Sequence, residues 1–297
     1  MSIVLITGSN RGIGQATALH LAEKGHRVFA SMRNTDKADD LRIAADEKGL
    51  SLEYLQLDVT DDASVKTAVS TVLDQEGRID VLINNAGIGP VSPLEEMDDA
   101  AFRAVFETNY FGAIRVTRAV LPSMRANKNG TIVNISSVAA RVAAECMGAY
   151  SATKWALEAS SEALAQELVP HGIRVVLIEP GITHTDMADG IPSQLSGLPG
   201  SAYAPAAQHI HAIFSGALQA GSTTPEEVAH TIEEALNDAQ PRLRYPVGDG
   251  ARAFVEGRAR MNDEDWIAMG RHTTVEDYFQ EFAMRFPPPS AAEGQKA

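Results

Sequence analysis

One cysteine, Cys146, stands in the 297 residues. That excludes an internal disulfide framework and any cysteine-based zinc site. Long apolar runs are lacking too, none reaching the roughly 18 residues that span a bilayer, so no membrane segment is expected. Basic residues are the minority, 25 Lys and Arg against 39 Asp and Glu, for a formal net charge of −14. A phosphate backbone is bound by a basic face, so nucleic acid is excluded as the main partner, and any strongly anionic small ligand requires a locally basic pocket. The first residues, Met1 to Ile6, pass straight into a strand-like run with no basic n-region or cleavage site, which reads as soluble and cytoplasmic. His184, His209 and His211 have no carboxylate or cysteine set beside them, so no metal is expected. The length gives one large domain, or two small ones, ample core, and there is no internal repeat.

The chain is organised around Tyr150-Ser151-Ala152-Thr153-Lys154, with Ser137 thirteen positions before the tyrosine. The Ala, Leu and Glu content of Gly148 to Leu168 predicts a helix, which puts Tyr150 and Lys154 one turn apart on one face. An ammonium near a phenol favours the phenolate, pulling the tyrosine pKa down from about 10 towards a value where it trades protons near neutrality. Ser137 follows the apolar β-type run Thr131 to Ser136 and offers a hydroxyl at the end of that strand. Together the three make a site for carbonyl or alcohol chemistry. Alone the signal is weak, because a Tyr/Lys pair at this spacing is usually a solvated helix face.

The rest of the chain supplies context. Ser2 to Ile6 runs into Thr7-Gly8-Ser9-Asn10-Arg11-Gly12-Ile13-Gly14, and Gln15 to Lys24 has helical composition. Strand, glycine turn and helix in that order let backbone approach a pyrophosphate and present free N–H groups to it. The second strand, His26 to Met32, ends in Ala30-Ser31-Met32-Arg33 with no acid to bind a ribose 2′-OH. Arg33, joined by Arg11, either forms a pocket for the 2′-phosphate of NADP or is surface arginine; NADP(H) is preferred, with NAD(H) possible. Asp36 to Lys48 reads as a helix and Ser51 to Leu57 as a strand ending in Asp58-Val59, where Asp58 either accepts from an adenine amino group or caps the helix that begins near Asp61. After the strand Ile79 to Ile83 come Asn84-Asn85-Ala86-Gly87, small residues and amides suited to a ligand crossing a sheet edge. A helix from about Asp98 to Ala126 contains Asn109, either tolerated polar surface or a hydrogen-bonding relay group.

Ile173 to Ile178 is a continuous apolar run, as in a parallel strand buried on both faces, and stops at Glu179-Pro180-Gly181-Ile182-Thr183-His184-Thr185. Residues 187–224 read as a substrate lid with a short helix. Thr224 and Pro225 open a helix to about Ala239, and Arg242 to Val247 is the last strand. Beyond it, 249–297 reads as an extension with helices over Ala251 to Met261 and Val275 to Phe286 and a frayed end after Pro287. Cys146 and Met147 either line the substrate pocket or are packed hydrophobes.

Taken together, Thr7 to Gly14, Asn84 to Gly87, and Tyr150 with Lys154 and Ser137 resemble the short-chain dehydrogenase/reductase family in its compact single-domain branch; Asp58, Asn109 and Pro180-Gly181 also fall where that family keeps them. The resemblance covers roughly residues 2 to 248. It implies an α/β fold of the doubly wound Rossmann type over 1–248, about seven mostly parallel strands in the order 3-2-1-4-5-6-7, with the dinucleotide across the switch point. It implies Tyr150 as general acid/base, Ser137 holding the substrate oxygen, Lys154 tuning the tyrosine and binding the nicotinamide ribose, and Asn109 positioning a relay water. Gly8, Ser9, Asn10, Arg11, Gly12, Ile13 and Gly14 then line the cofactor with Arg33, Asp58, Val59, Asn85, Ala86, Gly87, Pro180, Gly181, Thr183 and Thr185, the last at the nicotinamide carboxamide.

The expected activity is hydride transfer between NADP(H) and a ketone, aldehyde or secondary alcohol, with a medium-sized hydrophobic substrate such as a steroid-, retinoid- or aromatic-ketone-like molecule. An NAD-dependent alcohol dehydrogenase and a non-catalytic dinucleotide sensor are the alternatives. The family's habit of pairing through the helices of Asn109 and Tyr150 implies a homodimer or homotetramer.

Overall fold

Strands β1 (Ile3–Thr7) and β2 (Arg27–Met32) are buried almost throughout, and their residues alternate between two cores and not between core and solvent. Val4 and Ile6 face one apolar layer with Val28 and Ala30, while Ile3 and Leu5 face the other with Phe29. Parallel strands covered on both sides read as continuous apolar runs for this reason. The computed structural model describes residues 1–196 and 200–286.

Helix α1 (Gly12–Glu23) returns the chain to β2, and α2 (Asp39–Glu47) leads to the short β3 (Glu53–Gln56). Then α3 (Asp62–Glu76) crosses to β4 (Val81–Asn84), which pairs with β1 from the opposite side: Val4 lies opposite Val28 on one flank and Val81 on the other. Helix α4 (Asp99–Phe106) and α5 (Gly112–Asn127) follow, then β5 (Gly130–Ile135), α6 (Gly148–Leu168) and β6 (Ile173–Pro180). After the lid helices α7 (Asp186–Asp189), α8 (Ile191–Ser196) and α9 (Ala204–Ala220), α10 (Pro225–Asn237) leads to β7 (Arg244–Val247). The sheet is parallel, seven strands in the order β3-β2-β1-β4-β5-β6-β7. Because β1 neighbours both β2 and β4, the loops after β1 and β4 diverge and leave a crevice at their carboxyl ends.

Several expectations need correction. The long helix around Asn109 is broken by a π-turn over Glu107–Phe111. Among its described residues, the segment expected to form a lid holds three helices instead of one short one, with α9 running 17 residues; Gly, Ser and Pro dilute its apolar period. The extension holds α11 (Asp249–Arg260), the unforeseen α12 (Asp263–Ala268) capped by Asn262, and α13 (Val275–Arg285). Phe254, Trp266, Tyr278, Phe282 and Phe286 form a small core there, and Ile213 of α9 packs against it. The extension therefore packs on α9, and Trp266 Nε1 donates to the Ala143 carbonyl, ahead of α6, at 3.2 Å. The segment after Pro287, read as frayed, lies outside the described residues. No described helix is long and apolar enough to cross a membrane.

Candidate active site

Ser137 follows β5 in extended backbone, its Oγ accepting from Ala139 N–H at 3.1 Å to start a turn of 3-10 helix. Tyr150 sits in the first turn of α6 with the Ser137 hydroxyl close enough to its phenol to lower the phenol pKa. Lys154 is one turn on and buried, with Nζ donating to the Ile135 carbonyl at 2.8 Å and lying 5.6 Å from the Tyr150 ring centre. The three expected side chains thus meet at the carboxyl end of β5.

The electrostatics differ from expectation. Burial pushes the Tyr150 phenol above its ordinary value, and the Ser137 hydroxyl opposes the shift. Lys154 directs one ammonium N–H to the Ile135 carbonyl and keeps its charge, but burial decides the resting direction of the phenol. Burial lowers Lys154 itself to about 8, against a raising influence from Glu158 one turn further along. At neutral pH the arrangement therefore holds a protonated phenol beside a charged ammonium.

Asn109 is buried in the π-turn, where the helix widens by a residue and frees side-chain and backbone groups from the i, i+4 pattern. Its Oδ1 accepts from Ile88 N–H and its Nδ2 donates to the Ile88 carbonyl, both at 2.8 Å, and Nδ2 also reaches Thr153 Oγ1 at 3.3 Å. Thr153 Oγ1 in turn donates to the Tyr150 carbonyl at 2.7 Å. The asparagine thus ties the loop after Asn85-Ala86-Gly87 to the helix that carries the tyrosine.

The glycine turn and the loop after β4 interlock. Thr7 Oγ1 accepts from the N–H groups of Asn85 and Ala86 at 3.0 Å, and Asn85 Nδ2 donates to the carbonyls of Thr7 and Gly8 at 3.0 and 2.9 Å. Gly8 has φ +70°, and a Cβ on it would meet the Ala86 Cα at 2.9 Å. The backbones of the two loops therefore pack in direct contact at the carboxyl edge of the sheet. Ser9 is buried, its hydroxyl turned back to the Ile6 carbonyl at 3.1 Å, and Ile13 packs into the core, so each offers backbone only. Asn10 is half-buried beside them.

Arg33 stands exposed at the end of β2. Arg11 does not join it: its guanidinium pairs with Asp186 of α7 at 2.7 Å, joining the glycine turn to the lid. The alternative that Asp58 caps α3 is excluded, since Asp61 accepts from Ala63 and Ser64 N–H in that role; Asp58 Oδ1 accepts from Thr60 N–H at 2.9 Å, and the Val59 carbonyl accepts from Arg115. Beyond Pro180 and Gly181, Thr183 bridges to Thr223, and Thr185 caps α7.

Cys146 and Met147 pack with Val91, Ile191, Leu195, Ile210 and Phe214 in an apolar cluster under the lid, and burial pushes the Cys146 thiol up to about 11. Met187, missed in the sequence, joins them near Tyr150: a Cβ on Gly89 would touch both the Met187 sulfur and the Tyr150 ring. His209, which lacked a visible partner in sequence, is buried with Nδ1 3.1 Å from Glu145 Oε2 and its ring stacked on Tyr278 of α13.

Behind the site lies a buried charge network that sequence did not reveal. Ser136 Oγ donates to Glu158 Oε1 at 2.7 Å, Arg244 Nε donates to Glu158 Oε2 at 2.9 Å and sits 3.6 Å from Glu179 Oε1, and Arg141 donates to Glu179 at 3.3 Å. Burial and the neighbouring Glu158 carboxylate raise Glu179 to about 7. A carboxyl whose folded pKa exceeds its unfolded one holds an extra proton in the fold, so its stabilisation is complete below the unfolded value and is lost as pH rises through about 7. Glu179→Gln is therefore expected to remove on the order of 2 kcal/mol of stability loss between pH 5 and pH 8. Urea denaturation across that range tests this, and parallel wild-type and variant curves would refute it.

The model of the family described as short chain dehydrogenase matches residues 2–196. Among curated proteins, bovine (Bos taurus) retinol dehydrogenase 8 is 37% identical over 257 residues, covering 81% of this chain and 80% of its own length. Among solved structures, a short-chain dehydrogenase from Streptomyces avermitilis superposes with a TM-score of 0.74 at 34% identity, covering 91% of this chain and 98% of its own. An NAD+-bound xylitol dehydrogenase gives the same TM-score at 29% identity, covering 83% and 98%.

Proposed function

The chain belongs to the short-chain dehydrogenase family of oxidoreductases, and we propose that within it this protein moves a hydride between NADP(H) and a medium-sized apolar ketone, aldehyde or secondary alcohol. The observation that carries the reading is the meeting of Ser137, Tyr150 and Lys154 at the sheet's carboxyl edge, beneath an apolar lid.

The edge where Gly8 packs on Ala86, kept free of bulky side chains, fits the close approach of a dinucleotide. The turn from Gly8 to Gly14 with the start of α1 would hold the pyrophosphate, Arg33 a 2′-phosphate, Asp58 and Val59 the adenine, Asn85 to Gly87 and Lys154 the nicotinamide ribose, and Pro180 to Thr185 the carboxamide. Bound there, the nicotinamide supplies or accepts the hydride. Ser137 donates a hydrogen bond to the substrate oxygen, and Tyr150 gives that oxygen its proton in reduction and takes it back in oxidation. The Lys154 charge stabilises the phenolate so formed. Retinol is the substrate in the bovine relative's name, which supports an extended apolar alcohol or carbonyl here. Phe111 and Trp155, large side chains about half exposed on the helices of Asn109 and Tyr150, support pairing of two copies along that face.

Arg33 supports NADP over NAD, although the xylitol dehydrogenase neighbour carries NAD+. Calorimetry at one salt concentration is expected to find NADPH bound at least about tenfold tighter than NADH, and Arg33→Asp to erase that margin. A margin retained in the variant would remove Arg33 from the role; absence of binding by either nucleotide would overturn the enzymatic reading.

A further inference from the structure

On the opposite side of α1 from the nucleotide turn, three metal-ligating side chains converge from two helices. His20 is in the last turn of α1, and His230 and Glu233 are three residues apart on α10, hence on one face. Their ligand atoms all lie within 4.8 Å of one another. His20 Nε2 is 2.6 Å from Glu233 Oε2, and the two imidazoles meet edge to face with centres 4.3 Å apart. His20 and Glu233 are mostly covered, at 11% and 19% side-chain exposure, whereas His230 is open to solvent. We propose that His20, His230 and Glu233 bind a divalent transition ion, Zn2+ first, which staples α1 to α10.

Two imidazoles and one carboxylate form a borderline donor set that suits Zn2+, Ni2+ or Cu2+ and discriminates against Mg2+ and Ca2+. Ligand bonds of about 2.0–2.1 Å put tetrahedral donors about 3.3 Å apart. A small opening of the His20–Glu233 contact and a rotation of the exposed His230 ring reach that spacing. The fourth position faces solvent beside His230 and takes water. The last turn of α1 presents carbonyl groups and the negative end of the helix dipole, which favours a cation there. That end already draws one: Lys24 Nζ lies 3.2 Å from Glu233 Oε2 and is the group an ion displaces. Because ligands come from both helices, binding to the fold and not to the unfolded chain stabilises the molecule.

The test uses the full chain without an affinity tag. Calorimetric titration with Zn2+ is expected to show one equivalent bound in the micromolar range, undisturbed by excess Mg2+, with a melting temperature several degrees higher. Co2+ in its place gives visible absorption bands of a low-coordinate nitrogen and oxygen site. His230→Ala, an exposed change that leaves turnover intact as a check on folding, weakens Zn2+ binding at least about tenfold. His20→Gln does the same, and Lys24→Gln, which removes the competing ammonium, tightens binding. Absence of Zn2+ binding, or binding unaltered in both histidine variants, would overturn the proposal and leave the cluster as an ion pair between helices.

Discussion

Tyr150→Phe is expected to lower turnover by about a hundredfold to ten-thousandfold while leaving NADPH binding within a few fold of wild type. The substitution deletes one oxygen and keeps the ring that packs near Gly89 and Met187, so the fold and the lid have no reason to move. What disappears is the proton donor to the substrate oxygen and the partner of the Ser137 hydroxyl. The loss falls on kcat, because the interaction strengthens as charge develops on that oxygen and contributes little in the ground state. The pH profile of the wild type carries a second signature. Burial holds the phenol protonated through neutrality, while Lys154 loses its charge as pH rises through about 8. Reduction should therefore stay level towards neutral pH and decline on the alkaline side as the ammonium deprotonates. Steady-state rates with any accepted carbonyl, together with calorimetry of NADPH, decide the matter. Turnover in Tyr150→Phe equal to wild type would remove the tyrosine from the chemistry.

The parts legible in sequence are those whose physical cause is local. Glycine spacing after a strand, the i, i+4 relation of Tyr150 and Lys154, and the alternation-free apolar runs each follow from a few adjacent residues, and the helix expected over Gly148 to Leu168 forms over those same residues. The cap at Thr224 is complete, with Glu227 closing the box. What was hidden depends on partners far apart in the chain. Glu158 and Glu179 look like an ordinary helix carboxylate and a strand terminus until Arg244 and Arg141 are folded against them. The π-turn at Asn109 leaves no local mark in sequence, and the side chain it carries pairs with Ile88, 21 residues earlier. The ion pair of Arg11 is hidden for the same reason: its place in the glycine turn suggests a phosphate ligand, and its partner Asp186 lies 175 positions away. Even the electrostatic error at Tyr150 is of this kind. Helical spacing predicts that Lys154 lies near the phenol, and only the position of the Ile135 carbonyl tells where the ammonium is directed.

Gly14→Ala should abolish measurable dinucleotide binding, a loss of at least about a hundredfold, and destabilise the fold by about 1–3 kcal/mol. A Cβ built on Gly14 falls 2.4 Å from the Gly8 carbonyl oxygen and 2.5 Å from Asn85 Nδ2. The first of these is backbone and cannot swing aside; the second is the amide that joins the glycine turn to the loop after β4 through the carbonyls of Thr7 and Gly8. Relief requires α1 to back away from the sheet edge, which carries its first N–H groups off the position where they face a pyrophosphate. Gly25→Ala separates this clash from simple backbone strain. Gly25, unlike Gly14, has positive φ, +81°, and a Cβ there meets nothing within 4 Å. That variant bears only the left-handed penalty, about 1–2 kcal/mol, and keeps its affinity for NADPH. If the two variants lose similar stability in urea but only Gly14→Ala loses the nucleotide in calorimetry, the cause is the displaced helix start and not lost stability as such. Retention of NADPH by Gly14→Ala would mean that the edge formed by the glycine turn and the Ala86 loop is not where the dinucleotide lies.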